Sequence, residues 1–525
     1  MQGGPDPELR RFRTAWWQQL ADEQATYELT RFVVLRLLAV VYFFAFFSLA
    51  RQLEPLLGSH GLVPIGQFLA AKRGELGAAA YWRIPSIFWL DSSDAALVGA
   101  AWLGVVLSAG ALAGITSAPL QLALWVLYSS FVHVGQIFYG YGWELQLLET
   151  GLLAVFLCPL RPAGPFPPSA TPKIVIWLLR WLIFRVMLGA ALIKLRNDPC
   201  WRDFTCLDYH FETQPNPGPL AWSLHHAPHF VHVAGVLFNY LVELVVPWFA
   251  FGLRRWRHVA GVLLVALQVS LILSGNLSFL NWLTIIPALA CFDDTFFLRF
   301  ARGEWPKKLH ARFELLVPSR AQTRASQGLA AVVGVLSVAP VLNLFSCDQE
   351  MNGSFDPLAL VNTYGAFGSV DRARYEVILE GSRELGAAAD WREYELPCMP
   401  GSPQRRPCVV GPYQHRLDWQ MWFVGNGAAR GEAIENEPWL VHFVWQLLEG
   451  ESLPKRLLAR DPFPGEPPRW IRAGIWHYRF TDSRADHAWW ARERIGEYLP
   501  PLSLESQALR EYVDAYGWPD STSTR

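Results

Sequence analysis

The sequence predicts a polytopic α-helical membrane protein of about nine spans, followed by a C-terminal extracytoplasmic β-rich domain. Three observations carry this expectation. The chain of 525 residues is 52% hydrophobic and only 17% charged, with 25 Trp and 32 Phe. The apolar residues gather into separated runs of about twenty, the length that crosses ~30 Å of hydrocarbon. Beyond Ser346 the runs give way to short alternating, aromatic-rich stretches. Net charge is −1, so there is no global basic field, and no nucleic acid partner is expected.

The expected spans are 32–50, 95–117, 119–138, 143–160, 174–193, 229–252, 258–274, 277–293 and 328–346. The first begins near Phe32 after a polar leader and lacks a short apolar core with a small-residue cleavage site. It reads as a retained signal anchor. The run 143–160 carries Glu144 and Glu149, an unusual burden for a span. Between the first two runs, LEPLLGSHGLVPIGQFL is apolar but broken by Gly and Pro, as a re-entrant or interfacial piece would be. Lys and Arg of the short loops set orientation. Arg10, Arg11, Arg13, Arg31, Arg161, Lys173, the Arg254, Arg255 and Arg257 cluster, and the basic stretch from Arg299 to Arg324 fall on one side. The other side holds fewer: Arg51, Lys72, Arg73, Arg83, Lys194, Arg196 and Arg202. The N-terminus is therefore expected inside. The domains follow: 1–346 as a multispanning unit with an extracytoplasmic loop 194–228, and 347–525 as a soluble extracytoplasmic unit.

In the second unit, RYEVILEG sets Tyr375, Val377 and Leu379 on one face and Glu376, Ile378 and Glu380 on the other. RLDWQMWFVG (416–425) and GIWHYRF (474–480) read as strands too, being rich in aromatic and β-branched residues. PWLVHFVWQLLEG (438–450) has helical spacing. Of the seven cysteines, Cys158 and Cys291 fall in spans, where a thiol is a small hydrophobe. Cys200, Cys206, Cys347, Cys398 and Cys408 fall on the outer side, where disulfides persist. Two local pairs suggest themselves, Cys200 with Cys206 and Cys398 with Cys408, although spacing leaves the connectivity open.

Catalytic signatures are absent: there is no G-x-S-x-G, H-E-x-x-H, Walker A loop or C-x-x-C. No enzyme and no cofactor are expected. On one continuous helix His225, His229 and His232 would share a face, with His226, Asp208, His210 and Glu212 close in sequence, and these are zinc-ligand types. The plainer reading is histidines at a membrane–water boundary bonding loop carbonyls, and no metal is expected. Charges at membrane depth are a sharper signal: Glu149, Arg180, Arg185 and Glu243. Each costs roughly 2.5–3.5 kcal/mol at a span centre, so such groups pair or line a cavity. Glu149 or Glu243 is expected to neutralise Arg180 or Arg185, either as a structural ion pair or in a polar pocket. Asn276 and Asn352 each begin an N-x-S acceptor pattern. Of these, Asn352 is the plausible glycosylation site; Asn276, pressed against a span, is expected to satisfy backbone groups.

The stretch from Lys194 to Glu243 is dense in specific side chains, with Pro215, Pro217 and Pro219 favouring extended or turn backbone. Its segment CWRDFTCLDYHFETQPNPGPLAWSLHHAP resembles the central signature of the lipase maturation factor family. So do SGNLSFLNWLTIIPALACFDD, VNTYGAFGSVDRARYEVILEG, RRPCVVGPYQHRLDWQMWF and WWARERIGEYLPPLS. The resemblance implies a protein of the endoplasmic reticulum membrane, with a lumenal C-terminal domain, that helps dimeric secreted lipases reach their active form. In a bacterial host the same chain would lie in the inner membrane with a periplasmic domain. Its partners would be secreted lipase clients and membrane lipid. The client-binding candidates are Trp201, Arg202, Asp203, Asp208, Tyr209, His210, Phe211 and Glu212, with the tail around Arg416 to Phe423 next. A competing reading has this loop plug the top of the bundle. The alternative function is a membrane enzyme acting on a lipid or lipid-modified substrate through a charged intramembrane cavity. SHGLVPIGQFL is similar to a stretch of the transmembrane family related to vitamin K-dependent carboxylase.

Overall fold

The computed structural model describes residues 25–482 and 487–518; Arg10, Arg11 and Arg13 of the charge bias lie outside them. Nine apolar helical segments build the first part: α1 Glu28–Leu57, α2 Asp94–Ala113, α3 Ala118–Val134, α4 Gly142–Leu157, α5 Lys173–Arg196, α6 His229–Phe251, α7 Arg254–Ser274, α8 Leu280–Cys291 and α9 Arg320–Phe345. Among the described residues, six are long and apolar enough to cross a membrane: α1, α2, α5, α6, α7 and α9. Of the nine expected spans, six meet this length. The runs at 119–138, 143–160 and 277–293 fold as shorter helices. Their apolar residues continue past the helix ends into turns, as where α3 stops at Gly135 and a tight turn, Gln136–Tyr139, follows.

Local chemistry sets the ends. Ser93 caps α2 by accepting from the Ala96 amide at 3.3 Å, and Asp94 places a carboxylate in the first turn. The helix closes at Gly114, whose φ of 123° suits only glycine. Pro55 ends α1 within two residues, and the chain folds back so that the Leu62 amide donates to the Pro55 carbonyl at 3.1 Å. α1 is the central post, burying Val34, Leu38, Tyr42, Phe46 and Leu49. Its close contact with α2 needs Gly104, where a Cβ would lie 2.3 Å from the Phe46 ring.

The nine segments alternate between two ends of the bundle. At one end Asp294, after α8, accepts from the Glu28 amide at 3.0 Å. There Gln322 of α9 donates to the Phe156 carbonyl of α4 at 2.9 Å, and Arg257 of α7 donates to Asp293 at 2.9 Å. At the other end lie Gln52 of α1, Glu144 of α4, Ser274 of α7 and Asn343 of α9, each bonded to the tail or to the 198–228 segment.

The tail holds one antiparallel sheet, order β2-β1-β3-β4, from β1 Arg374–Ser382, β2 Arg392–Glu393, β3 Trp470–Phe480 and β4 Trp490–Leu502. Val377 faces Ile475 across β1 and β3, and Ile475 faces Gly496 across β3 and β4. Three helices of ten or more residues accompany it, α10 Arg416–Ala429, α11 Pro438–Glu449 and α12 Gln507–Tyr516. The segment 416–425, expected as a strand, is the first part of α10. Most of α10 is buried, from Arg416 to Met421 and from Val424 to Ala428, so packing on nearly every side overrides the strand-like composition. α10 lies close on β1: a Cβ on Gly425 would stand 2.2 Å from the Tyr375 carbonyl oxygen.

β1 is covered on both faces. Val377 and Leu379 join the core formed with α10 and α11. Ile378 packs with Tyr478, Phe480 and Trp490 against Phe211 and Ala221 of the 198–228 segment. The glutamates that share a face with Ile378 are buried. Glu376 is paired with Arg374 at 2.6 Å and Glu380 with Arg472 at 2.8 Å, which keeps each charge compensated.

Candidate functional site

Residues 198–228 form a cap of three short helices, Pro199–Arg202, Cys206–Thr213 and Ala221–His225, between the bundle and the sheet. Asp198 opens it. Its carboxylate accepts from the Cys200 amide at 2.9 Å, from the Val370 amide at 3.0 Å and from Arg372 at 2.7 Å, so it caps a helix and ties the cap to the tail. Burial alone would raise its carboxyl, but these donors outweigh burial and hold it down at about 2. Disulfides join Cys200 to Cys206, with Cα atoms 4.8 Å apart, and Cys398 to Cys408, at 5.5 Å. Cys158 and Cys291 are buried thiols, and Cys347 is an exposed one.

The cap turns its large aromatic groups inward. Trp201 is buried, donates to the Phe367 carbonyl at 2.8 Å and lies with its ring 4.9 Å from the Lys194 ammonium. Phe211, His210 and Glu212 are buried as well. The Glu212 carboxylate accepts from the Phe480 amide at 2.5 Å. Trp201 and Phe211 therefore cannot present aromatic surface to a client, which corrects that part of the expected recognition set. Packing against α6 and the 367–370 loop consumes Trp201, and the sheet covers Phe211. Only Arg202 and Asp203 are exposed, with Asp208 and Tyr209 half-buried beside them. Arg416, the start of the second candidate surface, is fully buried, and Phe423 is exposed.

The histidines divide by environment. His232 faces Asp208 at 2.6 Å through Nδ1 and the Leu224 carbonyl at 2.7 Å through Nε2, while His229 lies 3.1 Å from the same carboxylate. His226 contacts the Trp222 carbonyl at 2.8 Å and His225 lies 3.7 Å from Glu212. Burial pushes the His210 and His225 imidazoles down to about 4, so both are neutral near pH 7.

The charges at depth find specific partners. Arg185 pairs with Glu149, and its other arm donates to the Asn362 carbonyl at 2.7 Å. The Tyr364 hydroxyl donates to Glu149 at 2.7 Å. Asn362 and Tyr364 come from the VNTYG stretch, which dips into the bundle. Arg180 donates to the Ala290 carbonyl at 2.8 Å and the Tyr27 hydroxyl at 2.9 Å. Glu243 accepts from Lys194 at 2.7 Å, and Asn239 from Lys194 at 3.0 Å. Lys194 was missed in the sequence because it sits at the edge of an apolar run, where a loop charge is ordinary. Asn362 and Tyr364 carried no signal beyond their place in a quoted stretch. Asn276 bonds four backbone groups around Cys408 and Asn216. Asn352 accepts from the Gly365 amide at 3.4 Å and packs against Gly142, a constrained place for a glycan acceptor.

A helical bundle with several membrane-length apolar helices, capped at one end by a disulfide-bonded sheet domain, defines the class: a polytopic integral membrane protein with a large C-terminal domain. Residues 29–299 match the model of the lipase maturation factor transmembrane domain, and 360–500 that of the lipase maturation factor C-terminal domain. The chain belongs to the lipase maturation factor family. It is 47% identical to lipase maturation factor 1 of Bos taurus over 523 residues, covering 94% of this chain and 92% of the relative. Identity to the Homo sapiens protein of that name is 45% over 522 residues, covering 94% and 91%. Lipase maturation factor 2 of Homo sapiens is 30% identical over 619 residues, covering 95% and 86%. No solved structure matches the chain.

Proposed function

We propose that this protein assists secreted lipases to reach their active form, acting from the side of the membrane where its disulfides form. The observation that carries it is the 45–47% identity to proteins named lipase maturation factor 1 across 94% of the chain. In a secretory host the membrane is that of the endoplasmic reticulum and the tail is lumenal. α1 to α9 each cross once, so the N-terminus and the tail lie on opposite sides. Support comes from the alternation of the nine segments between two ends, with both disulfides at the tail end. The client meets the exposed rim of the cap, Arg202 and Asp203 with Asp208 and Tyr209, together with the neighbouring tail.

The test is co-expression with a secreted lipase in cells lacking proteins of this family. The ratio of active to total lipase should rise with the intact chain. An abundant, correctly inserted protein that leaves the ratio unchanged would overturn the proposal. Arg202→Ala with Asp203→Ala should keep abundance and lower the ratio; an unchanged ratio would move the client surface off the cap.

A further inference from the structure

A space with several polar groups in its wall lies under the cap, among α5, α6, α7 and α8. Its volume is ≈ 420 Å³, within the range of small-molecule sites. The wall is mostly apolar, with Met187, Phe238, Leu271 and Leu277 among its residues, and the cap closes it with Leu207 and Phe211. α7 makes its main contacts with the 241–251 part of α6, and the two helices separate toward His229. The separation begins at a π turn, Leu241–Val245, a feature that recurs at functional sites. At the mouth Val231 and Leu273 are exposed, as are Leu237, Leu241, Val262 and Val269 on the outer faces of the same helices. The gap therefore opens sideways, onto surface that faces acyl chains in a bilayer.

The polar groups of the wall are of two kinds. Lys194, Glu243 and Asn239 satisfy one another: Lys194 donates to both Glu243 oxygens and to Asn239. That charge is spent within the protein. Gln268, Asn281 and His210 are different. They are 3%, 4% and 6% exposed, and their side chains have no hydrogen-bond partner among the described residues. Buried amides and imidazoles without partners are costly, and native proteins rarely keep them without a ligand or water to bond. Each offers both a donor and an acceptor. None is charged near pH 7, since burial and the nearby Lys194 hold His210 neutral.

We infer that this cavity binds an acylglycerol, entering between α6 and α7, with its hydroxyl and ester groups bonded to Gln268, Asn281 and His210 and its acyl chain on the apolar wall. A hydroxyl both donates and accepts and an ester carbonyl accepts, which matches the free groups. A fatty acid carboxylate or a phosphate would bring a charge for which the wall has no free cation, at the cost of desolvating it.

The test uses the full-length protein in phosphatidylcholine vesicles with a trace of clickable monoacylglycerol bearing a diazirine in its acyl chain. Labelling should saturate and map to peptides from the cap, α6 and α7. Unlabelled monoacylglycerol should displace it, and oleate or phosphatidic acid at equal concentration should not. Gln268→Leu with Asn281→Leu should weaken labelling about tenfold or more, as expected for loss of two hydrogen bonds to a buried ligand. If that variant misfolds, Ala190→Phe, which narrows the cavity from α5, should do the same. Equal labelling in wild type and either folded variant, labelling spread evenly over the helices, or equal displacement by the charged lipids would each overturn the inference. The readout contains no lipase, so its failure leaves the client proposal standing.

Discussion

Arg416 of the tail donates to Glu144 of α4 at 2.9 Å, with both side chains fully buried. The two residues are 272 apart in sequence. The Arg416 guanidinium also lies 3.6 Å from the centre of the Tyr139 ring, and Glu144 accepts from the Tyr128 hydroxyl and the Trp143 indole. The charge of one domain is thus neutralised inside the other, and the sheet domain is anchored to the bundle by a bond that water does not reach.

Breaking such a pair from one side leaves a lone buried charge, which costs roughly 3–5 kcal/mol. Glu144→Gln or Arg416→Met alone should lower the thermal midpoint of the purified protein sharply. The double variant should lose clearly less than the sum of the two, because neither charge is then orphaned. Additive losses would mean that the pair does not couple the domains.

Asp418, two residues after Arg416 in α10, gives the tail a pH dependence. Burial raises its carboxyl from the ordinary 3.8 to about 7, against the opposing amides of Cys398 and Met399. Below pH ~4 folded and unfolded forms are both protonated and stability is full. Between ~4 and ~7 only the unfolded form ionises, so stability falls as pH rises through that window, then levels off. Unfolding midpoints of the tail from pH 4 to 8 should show this decline, and Asp418→Asn should flatten it.

The Cys200–Cys206 bond closes a short loop, for which chain entropy supplies only about 2–3 kcal/mol. Cys200→Ser with Cys206→Ser should therefore leave the protein folded while the cap loosens. Hydrogen exchange should accelerate in 199–213, with little change in α10 and α11. Uniform acceleration across the tail would show instead that the cap holds the sheet.

Trp201 and Arg202 are neighbours with opposite fates. Trp201→Ala removes a buried ring and its bond to Phe367, a change in the range of 3–5 kcal/mol for large aromatic truncations. It should reduce abundance and stability. Arg202→Ala, at an exposed site, should shift stability by less than about 0.5 kcal/mol. Equal stability losses for both would contradict the inward placement of the indole.

The orientation can be read directly. A reporter active only outside the cytoplasm, fused after Arg525, should be active, and one fused ahead of Glu28 should be silent. Matching signals at the two ends would mean that one of α3, α4 or α8 does not cross, and the reverse pattern would mean that the whole protein is inverted.

What the sequence by itself determined were the features that depend on near neighbours. Apolar runs of span length placed the helices, because an unsatisfied backbone inside hydrocarbon is too costly to leave extended. Cysteines six and ten residues apart found each other, since short loops close readily. Alternation in RYEVILEG and GIWHYRF marked two strands of the sheet. Tertiary structure decided the rest. The stretch 416–425 is helical and buried on nearly every side, between β1 and the bundle, a setting that its aromatic-rich composition did not show. Glu376 and Glu380 are buried with Arg374 and Arg472 as their partners, a pairing that composition alone does not show. Glu243 pairs with Lys194, while Arg180 turns to a carbonyl and a tyrosine hydroxyl. Which charges meet at depth depends on how each helix is rotated and how far it is inserted. Those quantities are set by packing among segments tens to hundreds of residues apart, and no local pattern encodes them.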